Sequence, residues 1–207
     1  MTPISNLKIY GEILSETNHE NQEEIDTILE QTEKLDFLIQ SLVKLSRMES
    51  GIIAVHSEDT TIKQMLESIQ QQFNAKVREK NITLSLCDTD LHVRCDSKWT
   101  VEALGNIVDN AIKYTACGGN VQIKVEQNSF FVKIDIIDDG IGIEKEEIPK
   151  IFGRFYRSLS VADQPGVGIG LFLAREIIQA QKGYIKVTSK RGKGSTFSVF
   201  LPIAKKE

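Results

Sequence analysis

A broad apolar stripe close to the N-terminus places the strongest constraint on this chain. Ile25, Ile28, Leu35, Ile39 and Leu42, with Thr32 in the row, recur in steps of three and four, which is helical spacing. Leu29, Phe37, Leu38, Val43, Leu45 and Met48 widen the stripe beyond the seam of a two-stranded coil. A helix reaching Ser50 would be about 43 Å long, and so much apolar surface needs more than one neighbour. A shorter helix carrying Ile4, Leu7, Ile13 and Leu14 precedes it and stops at the polar run Thr17 to Asn21. This first helix cannot cover the second alone. Two copies of the hairpin would solve the problem as a four-helix bundle. A two-helix cap folded onto the next domain is the alternative.

Gly51 ends the second helix, and the pattern then becomes mixed. A helix is predicted from Ile62 to about Glu79, then a strand over Ile82–Leu86. Asp96 or Ser97 caps a helix running to Tyr114. Alternating segments Val121–Glu126 and Phe130–Ile137, separated by Gln127, Asn128 and Ser129, read as a hairpin. A glycine-rich loop leads to a helix over Ile169–Gln181, and strands Tyr184–Thr188 and Thr196–Leu201 follow. The fold class is α+β, a helical hairpin followed by an α/β sandwich. The divisions are 1–50 for the hairpin, 51–59 for a linker and 60–207 for the sandwich.

Charge separates the same regions. Up to Glu58 there are 4 basic and 11 acidic side chains, leaving 21 and 18 of the totals of 25 and 29 for the rest. The second region is mildly positive, which tolerates a polyanion, but it has no basic stripe with interleaved aromatics and so excludes a nucleic-acid reading. Cys87, Cys95 and Cys117 form no C-x-x-C pair, against a disulfide framework or zinc site. No apolar run approaches the length of a membrane span.

Four clusters interrupt the regular elements. Asn106 and Asn110 share one helix face, with Lys113 a turn further on and Tyr114 beside it. Amide oxygens suit Mg²⁺ and an ammonium suits phosphates, although a solvated polar face reads equally well from this run alone. Asp138, Asp139, Gly140, Ile141 and Gly142 follow the apolar strand; a carboxylate there can accept from an exocyclic amine, and an ordinary turn is the plainer reading. Gly166, Val167, Gly168, Ile169, Gly170 and Leu171 enter a helix, whose N-terminus favours anions. Gly192, Lys193, Gly194, Ser195 and Thr196 open the last strand as a hairpin turn would. No Walker sequence G-x-x-x-x-G-K-S/T occurs, so a nucleotide site here is of another type.

In their order and spacing these clusters resemble the Bergerat ATP-binding fold, in its sensor histidine kinase branch. N-x-x-x-N-A-x-K-Y, D-x-G-x-G and G-x-G-x-G-L are all present, with a phenylalanine motif from Ile151 to Arg157 between the last two. The resemblance implies ATP and Mg²⁺ as cofactors, with Asn110 holding the metal on the phosphates and Asn106 beside it. Lys113 and Arg157 would contact phosphates, Tyr114 would stack near the adenine, and Asp138 would accept from its amino group with support from Thr196. Gly140, Gly142, Ile143, Tyr156, Gly166, Val167, Gly168, Gly170 and Leu171 would line the nucleotide site. Gly153 to Val167 would form a lid.

Thr2 and Pro3 are similar to the end of the family's phosphoacceptor motif, H-E-x-K/R-T/N-P, which places the accepting histidine upstream of Met1 and makes Thr2 part of a bifunctional catalytic site. The chain alone is then expected not to autophosphorylate. His19, followed by Glu20, lacks the proline that would complete the motif; His56 falls in the linker and His92 in a strand-like segment. Implied partners are a second copy, through the N-terminal helices, and a response-regulator receiver domain. The expected location is the cytoplasmic part of a membrane-anchored receptor, with the membrane reached only through segments upstream. Two other functions compete: an ATP-hydrolysing conformational clamp of the same fold, and a non-catalytic nucleotide-binding module. The clamp enzymes carry a water-activating glutamate where this chain has Asn106, which cannot act as a base.

Overall fold

The computed structural model describes residues 7, 9–14, 22–49, 55–158, 161 and 166–203. The chain divides into two compact units, Met1–Ala54 with Asp163–Val167, and Val55–Ala162 with Gly168–Glu207.

The first unit contains α1 (residues 9–14) and α2 (Gln22–Glu49). The helices approach closely at Gly11, where a Cβ would fall 2.6 Å from Leu29 Cδ2. In α2, Ile25, Thr32 and Ser41 are buried, and the Thr32 hydroxyl donates to the Ile28 carbonyl at 2.7 Å. Most of the stripe remains open. Ile28, Leu35, Phe37, Ile39, Leu42 and Val43 are exposed.

The second unit begins with β1 (Glu58–Thr61) and α3 (Ile62–Glu79), then β2 (Thr83–Leu86) and β3 (His92–Cys95). It continues through α4 (Ser97–Tyr114), β4 (Asn120–Gln127), β5 (Phe131–Asp138), α5 (Gly170–Ala180), β6 (Tyr184–Ser189) and β7 (Ser195–Pro202). The main sheet has the order β2-β4-β5-β7-β6, with β2 parallel to β4 and every other pairing antiparallel. Strand alternation puts Val132, Ile134 and Ile136 of β5 on one face with Phe197, Val199 and Leu201 of β7, and all are buried. The apolar faces of the helices fill the core above them, through Ile69 and Phe73, Leu104 and Ile107, and Ile177 and Ile178. This is the α/β sandwich expected from the mixed pattern.

Glu58 and Asp59, expected to end the linker, instead open β1, which runs on through Thr60 and Thr61 and pairs antiparallel with β3. Glu-Asp-Thr-Thr has no apolar alternation because this strand lies in a small two-stranded sheet and is largely open to water. His56 is tied in as well: its N–H donates to Asp96 Oδ2 at 3.1 Å. No helix among the described residues is long and apolar enough to cross a membrane.

Candidate functional site

The site is assembled on α4. Asp96 caps this helix, its Oδ1 accepting from the Trp99 N–H at 3.2 Å. At the other end Lys80 Nζ donates to the carbonyls of Ile112 and Lys113 at 2.9 and 2.6 Å, placing a positive charge on orphan acceptors of the last turn. Between these ends one face carries Asn106, Asp109, Asn110 and Lys113. Asn106 turns its amide back along the helix, donating to the Glu102 carbonyl at 2.9 Å. Its Oδ1 rests against the start of α5, where a Cβ on Gly170 would lie 2.9 Å away.

Lys113 is half-buried, and burial, then the nearby Arg157 guanidinium, push its ammonium below the ordinary lysine range; Asp109 opposes them. Two cations thus share one locality, which suits a polyanion. Arg157 is steadied by donating to the Val161 carbonyl at 3.0 Å. Tyr114 lies beneath the Lys113 ammonium, 4.9 Å from ring centroid to Nζ, and burial raises its phenol.

The loop after β5 is fastened to the end of α4. The Ile141 N–H donates to the Tyr114 carbonyl at 3.2 Å, and Gly192 N–H to the Ile141 carbonyl at 2.7 Å. The Ile143 N–H donates to Ser189 Oγ at 2.8 Å. Asp138 is only 7% exposed, and its Oδ1 accepts from the N–H groups of Gly140 and Ser195 at 3.0 and 3.2 Å. Its Oδ2 has no partner among the described residues. Desolvation exceeds those two hydrogen bonds and raises the carboxyl above the usual range.

Thr196 does not stand where the sequence reading placed it. Ser195 is opposite Asp138, whereas Thr196 is opposite Ile137 and therefore points to the other face of the sheet. A motif read as a string does not reveal this parity; only the register does. Gly194 serves the same junction. It has φ +81°, and a Cβ there would run into the Asp138 carbonyl.

The phenylalanine motif packs against α5. Arg154 lies 4.7 Å from the Phe172 ring centroid, and Arg175 lies 5.6 Å from those of both Phe152 and Phe172. Tyr156 hydroxyl donates to Glu147 at 3.2 Å. Gly168, with φ +77°, lets the backbone of Phe155 and Tyr156 approach; a Cβ there would lie 2.6 Å from the Tyr156 carbonyl oxygen. Phe155 itself has φ +60°, a left-handed conformation in a non-glycine residue.

Asn106, Asn110, Lys113, Tyr114, Asp138, Gly140, Gly142, Ile143, Tyr156, Arg157, Gly168, Gly170 and Leu171 all belong to the second unit, while Gly166 and Val167 fall in the first. Thr2 lies outside the described residues, as do His19, the hairpin's turn and part of the expected lid. Asp109, Ser189 and Ser195 escaped the sequence reading, although Asp109 sits on the face already defined by Asn106, Asn110 and Lys113. Among the described residues no group of three or more His, Cys, Asp or Glu side chains could hold a metal.

Residues 95–205 match the family described as histidine kinase-, DNA gyrase B-, and HSP90-like ATPase, and residues 2–51 match the His kinase A phospho-acceptor domain. Sensor histidine kinase WalK of Bacillus subtilis (strain 168) is 33% identical over 210 residues, covering 97% of this chain and 34% of that protein. The chain thus spans about a third of that relative's length. Among solved structures, full-length ShkA in complex with AMPPNP superposes with a TM-score of 0.81 at 20% identity, covering 99% of this chain and 44% of that one. Histidine kinase ThkA in complex with the response regulator protein TrrA gives 0.74 at 21% identity, covering 97% and 57%. At such identities these two show the fold. The chain belongs to the histidine kinase-, gyrase B- and HSP90-like ATPase family, and within it to the two-component sensor histidine kinases.

Proposed function

We propose that this chain is the catalytic region of a sensor histidine kinase, which binds Mg-ATP and passes its γ-phosphoryl group to a histidine, and thence to an aspartate of a response-regulator receiver domain. The observation that carries the reading is the joint between α4 and the loop after β5. It gathers a paired-cation locality at Lys113 and Arg157 and a buried, half-satisfied carboxylate at Asp138. Those are the complements of a triphosphate and of an exocyclic amine.

ATP supplies the phosphoryl group, and Mg²⁺ neutralises its charge. The protein's part is positioning and electrostatics. Asn110 offers an amide oxygen to the metal with Asn106 beside it, and Lys113 and Arg157 face the phosphates. Asp138 accepts from the adenine amino group through Oδ2, and Tyr114 borders the base. The N-terminus of α5, with Gly170 and Leu171 in its first turn and Gly168 just before the cap, presents N–H groups to anionic oxygens. Imidazole is a competent nucleophile near neutral pH, so the site needs no strong base.

The working divisions are 1–50 for dimerisation, 51–59 for the linker and 60–207 for ATP binding. The exposed stripe of α2 supports a homodimer through the helices. The accepting histidine is taken to be none of the three here, since none opens an H-E-x-K/R-T/N-P run. The chain corresponds to the cytoplasmic kinase portion of a membrane-anchored receptor.

Titration with a fluorescent ATP analogue, with and without Mg²⁺, tests the site. Tight Mg²⁺-dependent binding is expected, and a loss of about tenfold or more in an Asn110→Ala, Asp138→Asn double variant. Equal binding by the variant would reject the assignment. Steady-state phosphate release at about 1 s⁻¹ or faster would favour the conformational-clamp reading instead.

A further inference from the structure

The nucleotide face of α4 contains a charge of the wrong sign. Asp109 lies three residues after Asn106, directly before Asn110 and one turn before Lys113, so it shares the face that the phosphates would meet. Like-signed charge at that place repels a polyanion. The structure compensates it from another element. Lys76, in the last turn of α3, holds its Nζ 2.6 Å from Asp109 Oδ1, and its ammonium lies 5.8 Å from the centroid of the Phe73 ring on the same helix. Phe73 is buried, so the Lys76 stem runs along a fixed support.

From this juxtaposition we propose that the Lys76–Asp109 pair is a specificity-determining element, which sets how strongly the site prefers nucleoside triphosphates over di- and monophosphates. The inference rests on the ATP-binding reading above. Asp109 is the member of the pair on the nucleotide face, and Lys76 stands behind it on α3. With both present, their fields largely cancel at the phosphates. Removing Lys76 leaves an uncompensated carboxylate beside them; removing Asp109 leaves an uncompensated ammonium. Each effect scales with the charge of the ligand, so ATP feels it most, ADP less, AMP little and adenosine not at all. Both residues also act on Lys113, Asp109 favouring its protonated form and Lys76 disfavouring it. That action runs against the direct effect on phosphates and caps the size of the change. An exposed pair of this kind contributes little to stability, which separates its electrostatic part from any folding role.

The experiment measures the affinities of the whole chain for ATP, ADP, AMP and adenosine at low and high salt, for wild type, Lys76→Met, Asp109→Asn and the double variant. The expected result for ATP at low salt is a loss of about threefold or more with Lys76→Met and a comparable gain with Asp109→Asn. The double variant should return close to wild type, adenosine should be unchanged throughout, and high salt should shrink every difference. Equal changes for ATP and adenosine would show a structural effect and overturn the proposal. A loss of ATP affinity in Asp109→Asn, with weakened Mg²⁺ dependence, would make Asp109 a partner of the metal's waters and overturn it equally. So would unchanged ATP-to-AMP ratios in both single variants. Wild type that binds none of the phosphorylated nucleotides would instead refute the ATP-binding reading itself.

Discussion

Asp138 and Ser195 stand opposite each other on β5 and β7, and the Ser195 N–H donates to the Asp138 carboxylate at 3.2 Å. A second donor, Gly140 N–H, bonds the same oxygen at 3.0 Å, yet burial still dominates and holds the carboxyl above its ordinary range. The site therefore holds a carboxyl whose charged form the fold itself disfavours.

A raised native pKa means that the folded state binds more protons than the unfolded one between the two pKa values. Stability then falls as pH rises through that window, and the full cost is present above it. Asp138→Asn keeps an acceptor for both N–H groups and removes the charge. Its melting temperature without nucleotide should equal or exceed that of wild type at pH 7, the difference closing as pH is lowered towards about 4. Its ATP affinity should fall about tenfold or more. A variant less stable than wild type at neutral pH would show that the two hydrogen bonds outweigh desolvation.

Gly192 and Gly194 give a matched pair of substitutions. Both have positive φ, +72° and +81°, but a Cβ on Gly192 meets nothing within 4 Å, whereas one on Gly194 meets the Asp138 carbonyl. Gly192→Ala should cost about 1 kcal/mol, the backbone strain alone. Gly194→Ala should cost at least about 2 kcal/mol and also weaken ATP binding, because the displaced carbonyl belongs to Asp138. Denaturant unfolding of the two variants checks the ranking; equal costs would show that the junction yields without strain.

Lys113 and Arg157 should reveal their proximity through pH. Burial and the Arg157 charge both depress the Lys113 pKa, so its proton is lost at lower pH than for an ordinary lysine. ATP affinity should decline as pH rises through that value, earlier than a normal lysine would produce. Arg157→Gln lowers affinity overall but removes one cause of the depression, so its alkaline limb should shift to higher pH. Affinities measured between about pH 7 and 10 test this; a limb that stays in place would separate the two cations.

What the sequence showed and what it hid follow from the kind of order involved. The face of Asn106, Asn110 and Lys113 was legible because helical period is local, and β5 was legible because Val132, Ile134 and Ile136 alternate. That Ser195 and not Thr196 stands opposite Asp138 is hidden in the sequence because parity between two strands depends on register, which is set by the pairing of residues 57 positions apart, Asp138 and Ser195. β1 was hidden because Glu58 to Thr61 pairs in a two-stranded sheet whose exposure demands no apolar signature. Asp109 was overlooked because its meaning depends on Lys76, which comes from another helix.

The last prediction returns to the stripe of α2. Ile28, Leu35, Ile39 and Leu42 recur at helical spacing and all are exposed, at 53, 46, 41 and 45%. Contiguous apolar surface of this kind marks an association site. Burial against a second copy would satisfy it by helix packing in a four-helix bundle, the arrangement proposed from the length and width of the stripe. Leu35→Glu with Ile39→Glu places two like charges in that seam, where each would have to be desolvated without a partner. Wild type should sediment as a dimer at micromolar concentration and the double variant as a monomer, with ATP affinity unchanged because the residues proposed to contact the nucleotide, Gly166 and Val167 apart, lie in the other compact unit. If the variant remained dimeric, association would have to run through a surface other than α2. If the monomer lost ATP binding, the two units would be coupled in a way that their separate cores do not require.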